Sequence, residues 1–142
     1  MKKFVPKMIE LLVRMSSVET DPSQRKENEK IARKFNLWVA EKKFCNPDEG
    51  LSDLAEEFGI TEEELTTFFT VVMESRFSSV RKRLRLEEAR RLINENPYMK
   101  IVQVANHVGI KDKCNFRKQF REAFGIPPAE WQRECLKAKS EK

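Results

Sequence analysis

Only four glycines, six prolines and one tyrosine occur in 142 residues, while 36% of the side chains are charged, a balance that argues against both sheet and disorder and for an all-helical chain. The longest apolar runs are a few residues, such as Leu11-Leu12-Val13, so nothing in the sequence can span a bilayer, and no charged-apolar-small cleavage pattern opens it. A cytoplasmic protein with no membrane partner is expected. There are only three cysteines, Cys45, Cys114 and Cys135; they are far apart, with no CxxC or Cys/His ligand spacing. They read as reduced thiols, with a structural zinc as the weak alternative. The one histidine, His107, has no nucleophile in a recognisable setting beside it and reads as an exposed helix residue. With no Gly-rich phosphate loop, no spaced carboxylate pair and no evident small-molecule site, the expectation is a non-enzyme without cofactor or catalytic residues.

What the chain does have is a repeat. Leu54-Ala55-x-x-Phe58-Gly59-Ile60 returns about 50 residues later as Val104-Ala105-x-x-Val108-Gly109-Ile110. Each copy is followed by a second helical pattern, with Leu65, Phe68 and Phe69 on one face in the first copy and Phe116, Phe120 and Phe124 in the second. A small Ala lets two helices cross closely, the Gly supplies a left-handed turn, and the apolar positions bury the back of the second helix while its front stays free. This is a helix-turn-helix written twice, with a face suited to a nucleic-acid groove.

Charge is distributed unevenly over these copies. Residues 1–50 carry 11 bases and 8 acids, residues 51–96 carry 7 and 10, and residues 97–142 carry 10 and 5. From Leu51 to Thr70 there are six acids and no base, whereas Arg76–Arg91 holds seven bases against Glu87 and Glu88, and Lys111–Arg121 holds five against Asp112. The acidic run reads as a solvated helix face. The Lys111–Arg121 bases fall on the outward side of a helix already expected to be presented, which points to nucleic-acid contact.

Periodicity places an N-terminal helix over about 6–16 with Met8, Ile9, Leu12 and Met15 on one face, either packed on the core or serving as a dimer helix. A polar linker follows at Ser17–Glu27, then a helix from roughly Ser23 to Lys43 with the stripe Ile31, Phe35, Trp38 and Val39. The repeats predict helices near 51–58 and 62–73 and near 100–107 and 113–123. Between them, Ser78 or Ser79 caps a helix that packs Val80, Leu84, Ala89, Leu92 and Ile93 inward and ends before Asn96-Pro97. After Gly125-Ile126-Pro127-Pro128 a last helix buries Trp131 and Cys135. Thr61 with Glu64 forms a capping box at the start of the helix in the first copy.

From Trp38 to Arg133 these residues resemble the DNA-binding domain of AraC/XylS-type bacterial transcription regulators, in the form common in Bacteroides-like bacteria. The strongest match is Ala105-x3-Gly109, Asp112-x3-Phe116-x3-Phe120-Arg121-x2-Phe124-Gly125-Ile126-x-Pro128-x2-Trp131-x-Arg133, and Leu84-Arg85-Leu86-x2-Ala89-x2-Leu92-Ile93 matches the joining helix. The resemblance implies seven helices in two helix-turn-helix units whose recognition helices enter successive major grooves, about one helical turn or ~34 Å apart. It also implies the division 1–37 extension, 38–77 first and acidic unit, 78–96 linking helix, 97–136 second unit and 137–142 basic tail.

Carried over the matched motif, Lys113, Cys114, Arg117 and Lys118 would face base edges in the second unit, and Glu63, Thr66 and Thr67 in the first. Arg85, Lys111 and Arg121 would contact phosphate. The first unit departs from the family, which places a Gly near Glu74, an apolar residue near Arg81, and Arg, Lys, Gln or aromatic residues along the first recognition helix, which here begins Thr61-Glu62-Glu63-Glu64. Carboxylates there repel phosphate, so the second unit and the linking helix are expected to supply the affinity. The alternative is a one-armed binder or decoy whose acidic unit contacts RNA polymerase or another regulator. A purely structural helical domain would leave the outward bases unexplained.

Overall fold

The computed structural model describes residues 22–140. The predicted N-terminal helix, with Met8, Ile9, Leu12 and Met15, lies outside them. Among the described residues there are seven α-helices and no strand, the all-helical class expected of the sequence. They are α1 (Pro22–Ala40), α2 (Leu51–Phe58), α3 (Glu62–Phe68, continued by a π-helical turn at Phe69–Met73), α4 (Phe77–Glu95), α5 (Ile101–His107), α6 (Lys113–Phe124) and α7 (Pro128–Ser140). Two compact units result: one uses the described residues up to Lys43 with Asp48–Arg81, the other Phe44–Pro47 with Lys82 onward.

The expected linker is helical in its second part, since α1 already starts at Pro22. Proline lacks only an N–H that no helix uses in its first turn. In the first unit α1 buries Ile31, Ala32, Phe35 and Trp38, with Val39 only half-buried. Phe35 meets Phe69 edge-on at 5.4 Å between centroids, and Phe77 lies 5.5 Å from Phe69. Such ring pairs add to what their burial contributes. The Trp38 indole N–H donates to Glu49 at 2.9 Å, and Lys34 donates to the Phe58 carbonyl at the end of α2 at 2.7 Å.

The repeat is real in the backbone. In the first copy Gly59 (φ +71°) follows α2 and the Ile60 N–H reaches back to the Ala55 carbonyl at 3.0 Å; in the second Gly109 (φ +89°) follows α5 and Ile110 reaches Ala105 at 2.9 Å. The glycine in the second copy is also a close approach, because a Cβ there would lie 2.4 Å from the Cys45 carbonyl oxygen.

Helix α4 begins at Phe77, one residue before the first expected cap and two before the second, so Ser78 and Ser79 are helical rather than capping. It buries Phe77 and Val80 in the first unit, and Leu86, Ala89 and Ile93 in the second. Leu86 was not foreseen: a helix that feeds two cores needs more than one apolar stripe, which blurs the 3.6-residue period. Trp131 and Cys135 of α7 are half-buried, and Asn94 accepts from the indole N–H at 2.8 Å.

The glycine that the resemblance implies near residue 74 would suit the backbone found there. The π turn ends at Glu74 with φ +53°, and the Ser75 N–H returns to the Phe69 carbonyl. A side chain in the left-handed region costs about 1–2 kcal/mol, partly offset by the greater freedom of an unfolded glycine. Glu74→Gly is expected to stabilise the first unit by about 0.5–1 kcal/mol, read as a higher urea midpoint with an unchanged m-value.

Candidate nucleic-acid interface

Helix α6 is placed from both ends and from behind. Asp112 caps its start, the carboxylate accepting from the Asn115 N–H at 3.0 Å, and Gly125 (φ +89°) closes its end. Phe116 and Phe120 are fully buried, Phe124 lies 4.7 Å from Phe120, and Trp131 of α7 backs both. With every third or fourth residue committed to the core, Lys113, Cys114, Arg117, Lys118 and Arg121 are left on the opposite side, all exposed. Among the described residues no ion pair involves the four cations of this set. Lys111, just ahead of the cap, is exposed as well.

The linking helix looks equally basic in sequence but is not equally available. Arg81 donates to the Glu49 carbonyl and lies over the Phe77 ring at 5.1 Å, filling the site where the family has an apolar residue. Glu87 is paired with Arg83 at 3.3 Å and Arg90 at 2.5 Å, and Arg90 also covers the Phe124 ring at 4.6 Å. Arg91 holds Glu88 through two hydrogen bonds and Glu95 through another. Those carboxylates, Glu88 first, raise its pKa above the ordinary arginine value, so it stays charged at all working pH. Only Arg76 and Lys82 of the run are exposed. The arginines of this helix are thus occupied with the protein's own carboxylates, carbonyls and rings, which leaves Lys82 as its exposed cation.

Arg85 is the clearest correction. Instead of facing phosphate it is buried, its Nε donating to the Phe44 carbonyl at 2.6 Å and a terminal nitrogen to Asn46 at 2.8 Å. It points inward, toward the Phe44–Asn46 segment and the Gly109 turn, where its Nε is 3.3 Å from the place a Cβ of residue 109 would take.

In the first unit Glu63, Thr66 and Thr67 are exposed, at the i, i+3 and i+4 positions of one helix face. Glu63 and Thr67 line a cleft of about 250 Å³ with Gln24, Glu27 and Ile31 of α1, and Thr66 borders a different one of about 380 Å³ with Phe69, Arg76 and Phe77. Glu64 forms the capping box expected of it: the Thr61 hydroxyl accepts from the Glu64 N–H at 3.1 Å, and the Glu64 carboxylate accepts from the Thr61 N–H at 3.2 Å. One of the three acids thus serves the helix rather than the surface.

The second unit also holds a residue to which the sequence reading gave no role. Lys113 and Arg117 border a groove of about 510 Å³ whose other lining includes Ile101, Pro127, Pro128, Glu130 and Arg133. Arg133 sits at the far end of the matched motif, and only folding α7 back beside α6 shows what it is near.

Comparison with known proteins agrees with this architecture. A family described as a helix-turn-helix domain matches residues 54–134. The C-terminal domain of AraT, a response regulator from Geobacillus stearothermophilus, is 22% identical with a TM-score of 0.66, over 74% of this chain and 84% of that one. An AraC-type regulator from Chromobacterium violaceum is 22% identical with a TM-score of 0.65, over 78% and 95%. The C-terminal domain of the response regulator yesN from Fusobacterium nucleatum is 22% identical with a TM-score of 0.63, over 71% and 97%. No curated protein matches the sequence.

Removing the buried guanidinium would take a donor from each of two backbone carbonyls and leave a void behind the Gly109 turn. Arg85→Ala is expected to destabilise the second unit by about 3 kcal/mol in chemical denaturation. A merely surface role would leave stability unchanged and lower only the salt dependence of DNA binding.

Proposed function

Because the chain belongs to the AraC-type family of helix-turn-helix DNA-binding regulators, we propose that it binds double-stranded DNA sequence-specifically and regulates transcription by inserting α6 into the major groove. The observation that carries this reading is the exposed, unpaired cationic side of α6, held rigidly by its cap and its buried phenylalanines. Arg117 and Lys118 read base edges, with bidentate Arg contacts to guanine each contributing roughly 1–3 kcal/mol of discrimination. Lys113 reaches the same edges, and Cys114 offers packing, for instance against a thymine methyl, and a weak S–H donor. Lys111 and Arg121 set position on phosphates. Such a regulator works without cofactor or catalysis, in the cytoplasm with the DNA it reads.

Binding measured across salt and across sequences tests the division of roles. Arg117→Ala should flatten the preference among sequences, whereas Arg121→Ala should weaken all of them alike and lower the salt slope by about one unit. Identical behaviour of the two variants would refute the assignment.

A second reading has its own support in the first unit. Helix α3 carries no base, Glu64 is turned into the cap, and Glu63 and Thr67 share a cleft with α1. On this reading α3 contacts another protein, RNA polymerase or a second regulator, and the chain is a one-armed DNA binder or a decoy. Reversing Glu62 and Glu63 to Lys decides between the two: tighter DNA binding by tenfold or more means that α3 faces the duplex, and unchanged binding that it does not.

A further inference from the structure

Lys113 and Arg117 stand one helical turn apart on α6, and Arg133 comes from α7, a different element with a different connection to the core. All three line one groove of about 510 Å³, whose remaining walls are apolar or small: Ile101 at the start of α5 and the Pro127-Pro128-Ala129 turn. The one acid there is Glu130, in the first turn of α7. At that position a carboxylate complements the helix's own unsatisfied N–H groups, so part of its charge is answered within α7. Arg133 and Lys113 are exposed, and among the described residues neither is in an ion pair.

Three cations converging on a concave strip beside a recognition helix create a positive potential where a single strand's phosphates would run once that helix lies in the groove. The low walls of proline and alanine let a sugar–phosphate backbone approach closely, and the fork of an arginine matches two phosphate oxygens at once.

We propose that the α5–α6–α7 groove is a seat for one phosphate of the DNA backbone and that Arg133 is the residue that holds it, Lys113 adding only its positive potential from the rim while its ammonium reaches the base edges; the proposal rests on the DNA-binding reading above. Arg133 thereby fixes how far α6 enters the major groove without reading a base. Glu130 tempers the seat, keeping attraction to non-cognate duplexes low.

The test is duplex binding by the full chain, followed by fluorescence anisotropy over a salt series with a preferred and a scrambled sequence. Arg133→Ala should weaken both duplexes roughly tenfold and lower the salt slope by about one unit. Arg133→Lys should restore the slope but only part of the affinity, since an ammonium is a point charge rather than a fork. Glu130→Gln should tighten both duplexes a few-fold. Arg133→Ala with the slope and affinity of the unsubstituted chain overturns the phosphate seat while leaving the DNA-binding reading intact. Failure of the unsubstituted chain to bind either duplex in a salt-dependent way overturns both.

Discussion

The Arg85 guanidinium is the pivot of the second unit. Residues Phe44–Pro47 belong to that unit although first-unit residues flank them in sequence, and what ties them there is a charged group donating to two of their carbonyls. The same short segment presses the Cys45 carbonyl against Gly109, so closely that only hydrogen fits in place of a side chain. The turn between α5 and α6 is thereby held from outside as well as by its own backbone bonds. Since the reading helix starts three residues after that turn, its placement inherits the constraint. A buried charge is costly unless its donors are used, and here the two carbonyls use them.

The arginines of this protein show how one residue type takes different roles according to its neighbours. On α4 they meet carboxylates at three- and four-residue spacing, aromatic faces and backbone carbonyls, and are consumed in holding the helix to its surroundings. On α6 the neighbours at those spacings are mostly phenylalanines and other cations, and although Glu122 stands four residues after Lys118, no ion pair among the described residues joins them. Net charge counts both populations alike. Only the second can release counterions from a duplex.

The first unit keeps the scaffold and changes the face. Its aromatic core and its Gly59 turn follow the same plan as the second copy, while its reading helix starts with three carboxylates and ends in a π turn closed by a strained Glu74. Acids at a helix start are favourable for the helix whatever they do to a phosphate. Fold and interface therefore place different demands on the same residues, and here the two have separated.

The repeat, the all-helical class, the capping box at Thr61 and the outward cationic set on α6 were all determined by sequence alone, because each rests on interactions between residues three, four or five apart. The burial of Arg85, the second apolar stripe of α4 at Leu86, the cleft that Glu63 and Thr67 border with α1, and the meeting of Arg133 with Lys113 and Arg117 along one groove were decided only in three dimensions. Each joins residues from different elements, and a side chain's direction on its own helix says nothing about which other element will stand there. A basic residue on a helix face carries the same local signature whether a carbonyl or solvent awaits it, and tertiary packing chooses between them.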